Sequence, residues 1–240
     1  DGRHHDPHGV LGRHRHGDTD VWLVHWPAMR SVSLGGAQPM QRIPDSDFFH
    51  ATGTDAAWPK HPELTGTDSL GRQRQRIDAY SFAPTLAVDE LAAFSAGQAD
   101  RSWHQLGAAS RVVDGIAGVR FAVWAPNAER VSVVGPFCDW DGRRLPLRVL
   151  GSSGVWEIFV PGLAAGEFYK FEVRARDGSV FLKSDPLARA AEARPGTASR
   201  IDASAYRWND GAWVGRRRAI APRSGQDQLE IGSRSRLMGC

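Results

Sequence analysis

Clustered histidines and paired acids are the residues in this chain whose types and spacing could do chemistry. His4, His5, His8, His14 and His16 crowd the first sixteen positions, and imidazole is a common metal ligand. A helical His-x-x-x-His pair backed by an acidic third ligand is not evident among them, so no metal site is expected. Asp139 and Asp141 flank Trp140, but Asp favours turns and these two read first as loop-forming, solubilising residues. No carboxylate pair with a rigid frame stands out, so no catalytic residue is expected. Cys138 and Cys240 are the cysteines; one interior and one terminal thiol make no disulfide framework, and reduced thiols fit a cytoplasmic setting.

Charge points in one direction only weakly. The net charge is +3, yet the run from Arg216 onward holds six arginines against Asp227 and Glu230, so the tail carries the whole excess. A basic tail without interleaved aromatics is weak support for a nucleic-acid arm. No apolar run approaches the roughly 18 residues of a membrane span. No secretory leader is visible at the start either.

The elements that must position these residues are mostly short strands. Residues 1–60 read as a small β-rich unit. In the run Asp20 to Pro27, Val21, Leu23 and His25 share one face and Trp22, Val24 and Trp26 the other, as in a strand covered on both sides. Met29 to Leu34 and Phe48 to Ala51 are further candidates. Residues 61–112 read as a connector: a polar loop over 61–80, then a helix capped by Thr85, with Leu86, Leu91 and Phe94 near one face and Gly97 at its end. Residues 113–205 read as a sandwich of short alternating strands, beginning with Val119, Phe121 and Val123 on one face and including Val155–Val160, Phe168–Ala175 and Val180–Lys183. Trp124 and Trp156 are expected in packed positions. Residues 206–240 read as an irregular, disordered basic tail. The fold class is therefore all-β: tandem immunoglobulin-like β-sandwiches, a short helical connector and a disordered tail.

Taken together, several runs resemble the amino-terminal half of glycogen (1,4-α-glucan) branching enzymes in the α-amylase superfamily. They are His5–His14, Asp78–Phe82, Leu106–Ala108, Val113–Ala128, Val131–Gly135, Phe137–Gly142, Tyr169–Glu172 and Lys183–Pro186. The stretch from Val113 carries the signature of a family-48 carbohydrate-binding module. Three positions depart from the family: Pro136 stands where an acidic residue is usual, Cys138 where Asn is usual, and Leu187 where Tyr follows Asp-Pro. After Trp213 the text does not continue into the family's catalytic barrel, so a truncated, frame-shifted or fragmentary product is expected.

The resemblance implies a protein that binds or positions α-glucan without cofactor or metal, its parent moving α-1,4 segments to α-1,6 branch points in glycogen biosynthesis. Retaining glycosyl transfer needs two carboxylates about 5 Å apart, so this chain alone is expected to make no new branches in amylose. By resemblance, Trp140 is the position that stacks on glucose and Lys170 the one that reaches a sugar hydroxyl. Trp suits that role, being flat, rigid and largely apolar; the alternative is a packed loop anchor. Val180 and Phe181 stand where some binders carry a second Trp, which implies a weaker site. A free-standing glucan-binding scaffold and a nucleic-acid-associated protein remain as alternatives.

Overall fold

The computed structural model describes residues 6–53, 58–98, 105–202 and 209–220, the side chains of 218–220 excepted. Residues up to 203 form one compact unit and the remainder a second.

The first half of the larger unit is a sandwich of two four-stranded antiparallel sheets. Its strands are β1 (Gly12–His16), β2 (Thr19–His25), β3 (Met29–Leu34), β4 (Gln38–Pro39), β5 (Gln41–Arg42), β6 (Phe48–Gly53), β7 (Glu63–Asp68) and β8 (Gln73–Ile77). The sheets run β1-β2-β6-β5 and β4-β3-β7-β8. β2 alternates as expected: Trp22 and Val24 are buried between the sheets with Trp26, Met29, Val32, Leu34, Phe49 and Leu64. Its opposite face is also covered, because Leu23 and Phe48 pack against the core of the second half. That two-sided cover is why the strand is apolar on both faces.

β7 and β8 correct the reading of 61–80 as a loop. Their sequences are polar because one face is exposed and because β8 pairs only with β7. Leu64 is the one large apolar side chain β7 sends inward, at 0% exposure. Gly66 faces the same core, and a Cβ there would meet Met29 Sδ at 2.8 Å and the Trp26 ring at 3.0 Å. Bulk supplied by Trp26 and Met29 thus replaces the hydrophobic pattern that would have announced the strand.

The second half is another sandwich, formed by β9 (Gly107–Val113), β10 (Ile116–Trp124), β11 (Ala128–Val134), β12 (Arg148–Val149), β13 (Val155–Pro161), β14 (Phe168–Ala175), β15 (Val180–Lys183), β16 (Ala190–Ala191) and β17 (Ser199–Arg200). One sheet runs β12-β13-β10-β9, the other β11-β14-β17-β16, with β15 also on β14. Val119, Phe121, Val131, Val133, Ile158, Tyr169 and Phe171 form the core, all at 1% exposure or less. Each buried side chain of this size contributes about 1.5–3 kcal/mol. The all-β architecture of tandem sandwiches stands, the second starting at Gly107. Trp156 is buried as expected, but Trp124 is 55% exposed at the end of β10, its indole N–H on Ser153 O at 3.2 Å.

Between the sandwiches runs α1 (Val88–Ser95), which lays Leu91 and Phe94 over Ala122, Leu150 and Val155. Thr85 does not cap it. Its backbone N–H and hydroxyl both donate to Glu157 Oε1, at 3.0 and 2.7 Å, and Ala87 N–H takes the Glu90 carboxylate at the helix start instead. Glu157 recruits Thr85 because it is fully buried and paired with Arg148 at 3.0 Å, and a buried carboxylate needs every lone pair satisfied.

In the smaller unit, α2 (Gly211–Ile220) corrects the reading of 206–240 as irregular throughout. Ala, Trp, Val and Arg sustain a helix here, and Arg217 stacks on Trp213 at 5.2 Å, one turn apart. The rest of the tail lies outside the described residues. No helix among the described residues is long and apolar enough to cross a membrane.

Candidate functional site

Trp140 sits in the connection from β11 to β12, on a loop that its own backbone ties into a knot. Trp140 N–H donates to Gly135 O at 3.0 Å, Asp139 N–H to Pro136 O at 3.2 Å and Asp141 N–H to Cys138 O at 3.1 Å. Cys138 is buried beneath, its thiol within reach of the Val133 and Gly135 carbonyls, and burial raises the pKa of that thiol. Asp139 and Trp140 both take the left-handed conformation, at φ of 53° and 57°. Such residues persist only where the surroundings over-determine them.

Here the surroundings are charged. Asp139 Oδ2 accepts from Arg74 at 2.7 Å and lies 2.8 Å from Arg144. The Arg74 hydrogen bond, with Arg144 beside it, holds its carboxyl below the usual range. Asp141 takes two bonds from the Arg143 guanidinium, at 2.9 and 2.8 Å. The acids flanking Trp140 therefore brace the loop. The Trp140 side chain itself stays 40% exposed.

Lys170 stands on β14, on the face away from the core. Its ladder partner is Val134, next in sequence to the Gly135 that accepts from Trp140. Its Nζ donates to Thr197 Oγ1 at 2.6 Å. Two residues along the same face is Glu172, ion-paired with Arg130. The loop returns over it so closely that a Cβ on Gly142 would lie 2.0 Å from Glu172 Oε1. The backbones of Trp140 and Lys170 are thus neighbours at one corner of the second sandwich, through Gly135 and Val134. Arg74, Arg144 and Thr197 at that corner were not expected. The alternating Asp-Trp-Asp-Gly-Arg-Arg run signals only the local part of it.

The edge strand β15 carries Val180, Phe181 and Leu182, between 45 and 54% exposed; Val180 and Phe181 occupy the region where the resemblance implied a second Trp in some binders. Among the described residues the flagged histidines do not converge. His8 is buried edge-on to Tyr80, at 5.0 Å between rings, and burial together with the Arg148 charge pulls its pKa down to about 3. His14 and His16 lie on β1, and His4 and His5 fall outside the described residues. No group of three or more potential metal ligands forms among the described residues.

Comparison with known proteins places the chain as a whole. Residues 105–188 match carbohydrate-binding module 48, the isoamylase N-terminal domain. Curated relatives named 1,4-alpha-glucan branching enzyme GlgB match nearly the full chain. That of Cellvibrio japonicus is 47% identical over 88% of this chain and 30% of its own length. Those of Methylococcus capsulatus and Rhodococcus jostii are 46% and 42% identical over 90% and 92% of it. The chain belongs to the amino-terminal region of the branching-enzyme family. It spans about 30% of the length of the curated branching enzymes it matches. Among solved structures, apo pullulanase from Paenibacillus barengoltzii aligns over 50% of this chain and 19% of its own at 22% identity, with a TM-score of 0.33; so slight a likeness carries no argument.

Proposed function

We propose that this chain holds α-1,4-glucan on the corner built by Trp140 and Lys170, as the glucan-positioning region of a glycogen branching enzyme. The observation that carries the reading is a half-exposed indole on a loop whose backbone is already fixed. An aromatic face matches the C–H face of a pyranose, and a platform ordered before binding loses little entropy when the sugar arrives. Lys170, tied to Thr197, offers donors at the rim for hydroxyls. The matched module family and the branching-enzyme relatives supply the substrate class. In the intact protein the activity would be transfer of α-1,4 segments to α-1,6 branch points, with this region keeping the donor or acceptor chain close.

Retention on immobilised amylopectin tests the reading. The parent chain is expected to be retarded, and Trp140→Ala to lose about tenfold in affinity, as for a central aromatic contact. Unchanged retention of Trp140→Ala would place the site elsewhere.

A further inference from the structure

The Trp140 loop rests on buried Cys138 on one side and borders open space on another. A cleft of about 310 Å³ opens between the two sandwiches, with Phe137, Cys138 and Arg144 on the loop side and Trp26, Arg74 and Arg76 on the other. A loop that forms the wall of a cleft is not supported by close packing from that side. On that side its pose is held by groups reaching across, in addition to the bonds within the loop.

Such groups come from the first sandwich and the segment just after it. Arg74, on β8, donates to Asp139 at 2.7 Å. His25, at the end of β2, places Nδ1 3.1 Å from the Arg143 carbonyl oxygen, a bond made by the tautomer protonated there. Tyr80 aims its hydroxyl at the Arg144 and Pro146 carbonyls, each at 3.4 Å. These contacts bracket Trp140: Arg74 fixes the residue before it, and His25 and Tyr80 fix the chain three to six residues after it.

We propose that the first sandwich sets the pose of Trp140 for glucan recognition, with Arg74 as a positioning residue acting through Asp139. The inference rests on the reading of Trp140 as the glucan platform. Asp139 shares its carboxylate between Arg144, within the loop, and Arg74, from the other domain. Losing Arg74 leaves the loop its internal partner and removes its tie across the cleft. The left-handed pair at 139 and 140 is then less firmly selected, and a glucan must select it at its own expense. Arg74 and Asp139 have 43% and 48% exposed side chains, so solvent screening keeps the effect modest, at about two- to fivefold in affinity.

Titration calorimetry of the full chain with maltoheptaose tests this. Arg74→Ala is expected to bind about two- to fivefold more weakly with an unchanged thermal midpoint. Arg74→Lys, which keeps a cation within reach of Asp139, is expected to stay within about twofold of the parent. In an Asp139→Asn background, Arg74→Ala is expected to add no further loss. Parental affinity in Arg74→Ala while Trp140→Ala loses binding would overturn the positioning role alone. So would a Lys variant as weak as the Ala variant, or additive losses with Asp139→Asn. Parental affinity in Trp140→Ala would instead overturn the platform itself.

Discussion

The two sandwiches share an architecture and use their outer surfaces in opposite ways. The first turns the outer face of its β1-β2-β6-β5 sheet onto its neighbour, burying Leu23 and Phe48 against the second core. The second leaves the corner of β11 and β14 open, with Trp140 and Lys170 on it. At the joint several polar groups are matched, although Arg76 Nε and both ring nitrogens of His8 are buried without a hydrogen-bond partner among the described residues. Trp22 N–H donates to Asp78 at 2.7 Å, Asp78 also accepts from Tyr80 N–H, Arg76 lies 4.1 Å over the Trp26 ring, and His61 stacks on Phe82 while bonding Asp114 at 3.0 Å. Buried polar pairs of this kind add little net stability, since desolvation offsets their attraction. What they do fix is relative placement. On the proposed reading, one domain braces and the other presents.

The largest disturbance to that division should come from beneath α1. Glu157→Ala strands Arg148, whose side chain is 7% exposed, and an uncompensated buried charge costs about 3–5 kcal/mol. Urea unfolding is expected to show that loss, and a change under about 1 kcal/mol would mean the pair is solvated. Acid should act next, through the joint. His8 is held neutral by burial, with its pKa near 3 against an ordinary 6.5. The unfolded chain therefore binds a proton that the folded one refuses. Stability from this group is complete above about pH 6.5 and drains as pH falls toward 3. His25 is lowered by burial too and adds to the same slope. Urea midpoints between pH 7 and 5 should fall in the parent and fall less in His8→Leu; identical slopes would show that His8 takes up its proton without unfolding. A smaller effect is expected from Trp22→Phe, which keeps the packing but leaves Asp78 without its indole donor, at about 1–3 kcal/mol. Burial already raises the Asp78 pKa, so this loss should shrink as the pH falls and the acid takes up its proton.

Sequence made the presenting domain easier to see than the bracing one. Val119, Phe121 and Val123 alternate with full burial on one face, which is the pattern a sandwich core imposes. β7 and β8 were hidden because Gly66 yields its space to Met29 and Trp26, and because β8 alternates only arginines and glutamines before Ile77. Thr85 read as a helix cap because the demand of Glu157, 72 residues away, has no local signature. Trp124 read as packed because residue type carries a burial tendency, while its place at the end of β10 decides the outcome. At the proposed site, Trp140 stood out as an aromatic on a polar loop as well as through family likeness, and Lys170 through family likeness alone. Arg74 was invisible, since its bond to Asp139 joins positions 65 apart.

Trp140 serves the proposed glucan site only as a presented surface, not as a loop anchor. Measuring maltoheptaose affinity and thermal midpoint on the same Trp140→Ala preparation separates the two directly. A presented Trp140 gives about tenfold weaker binding on truncation with stability within roughly 1 kcal/mol of the parent, as suits a half-exposed side chain. Parental binding together with a large loss of stability would contradict it.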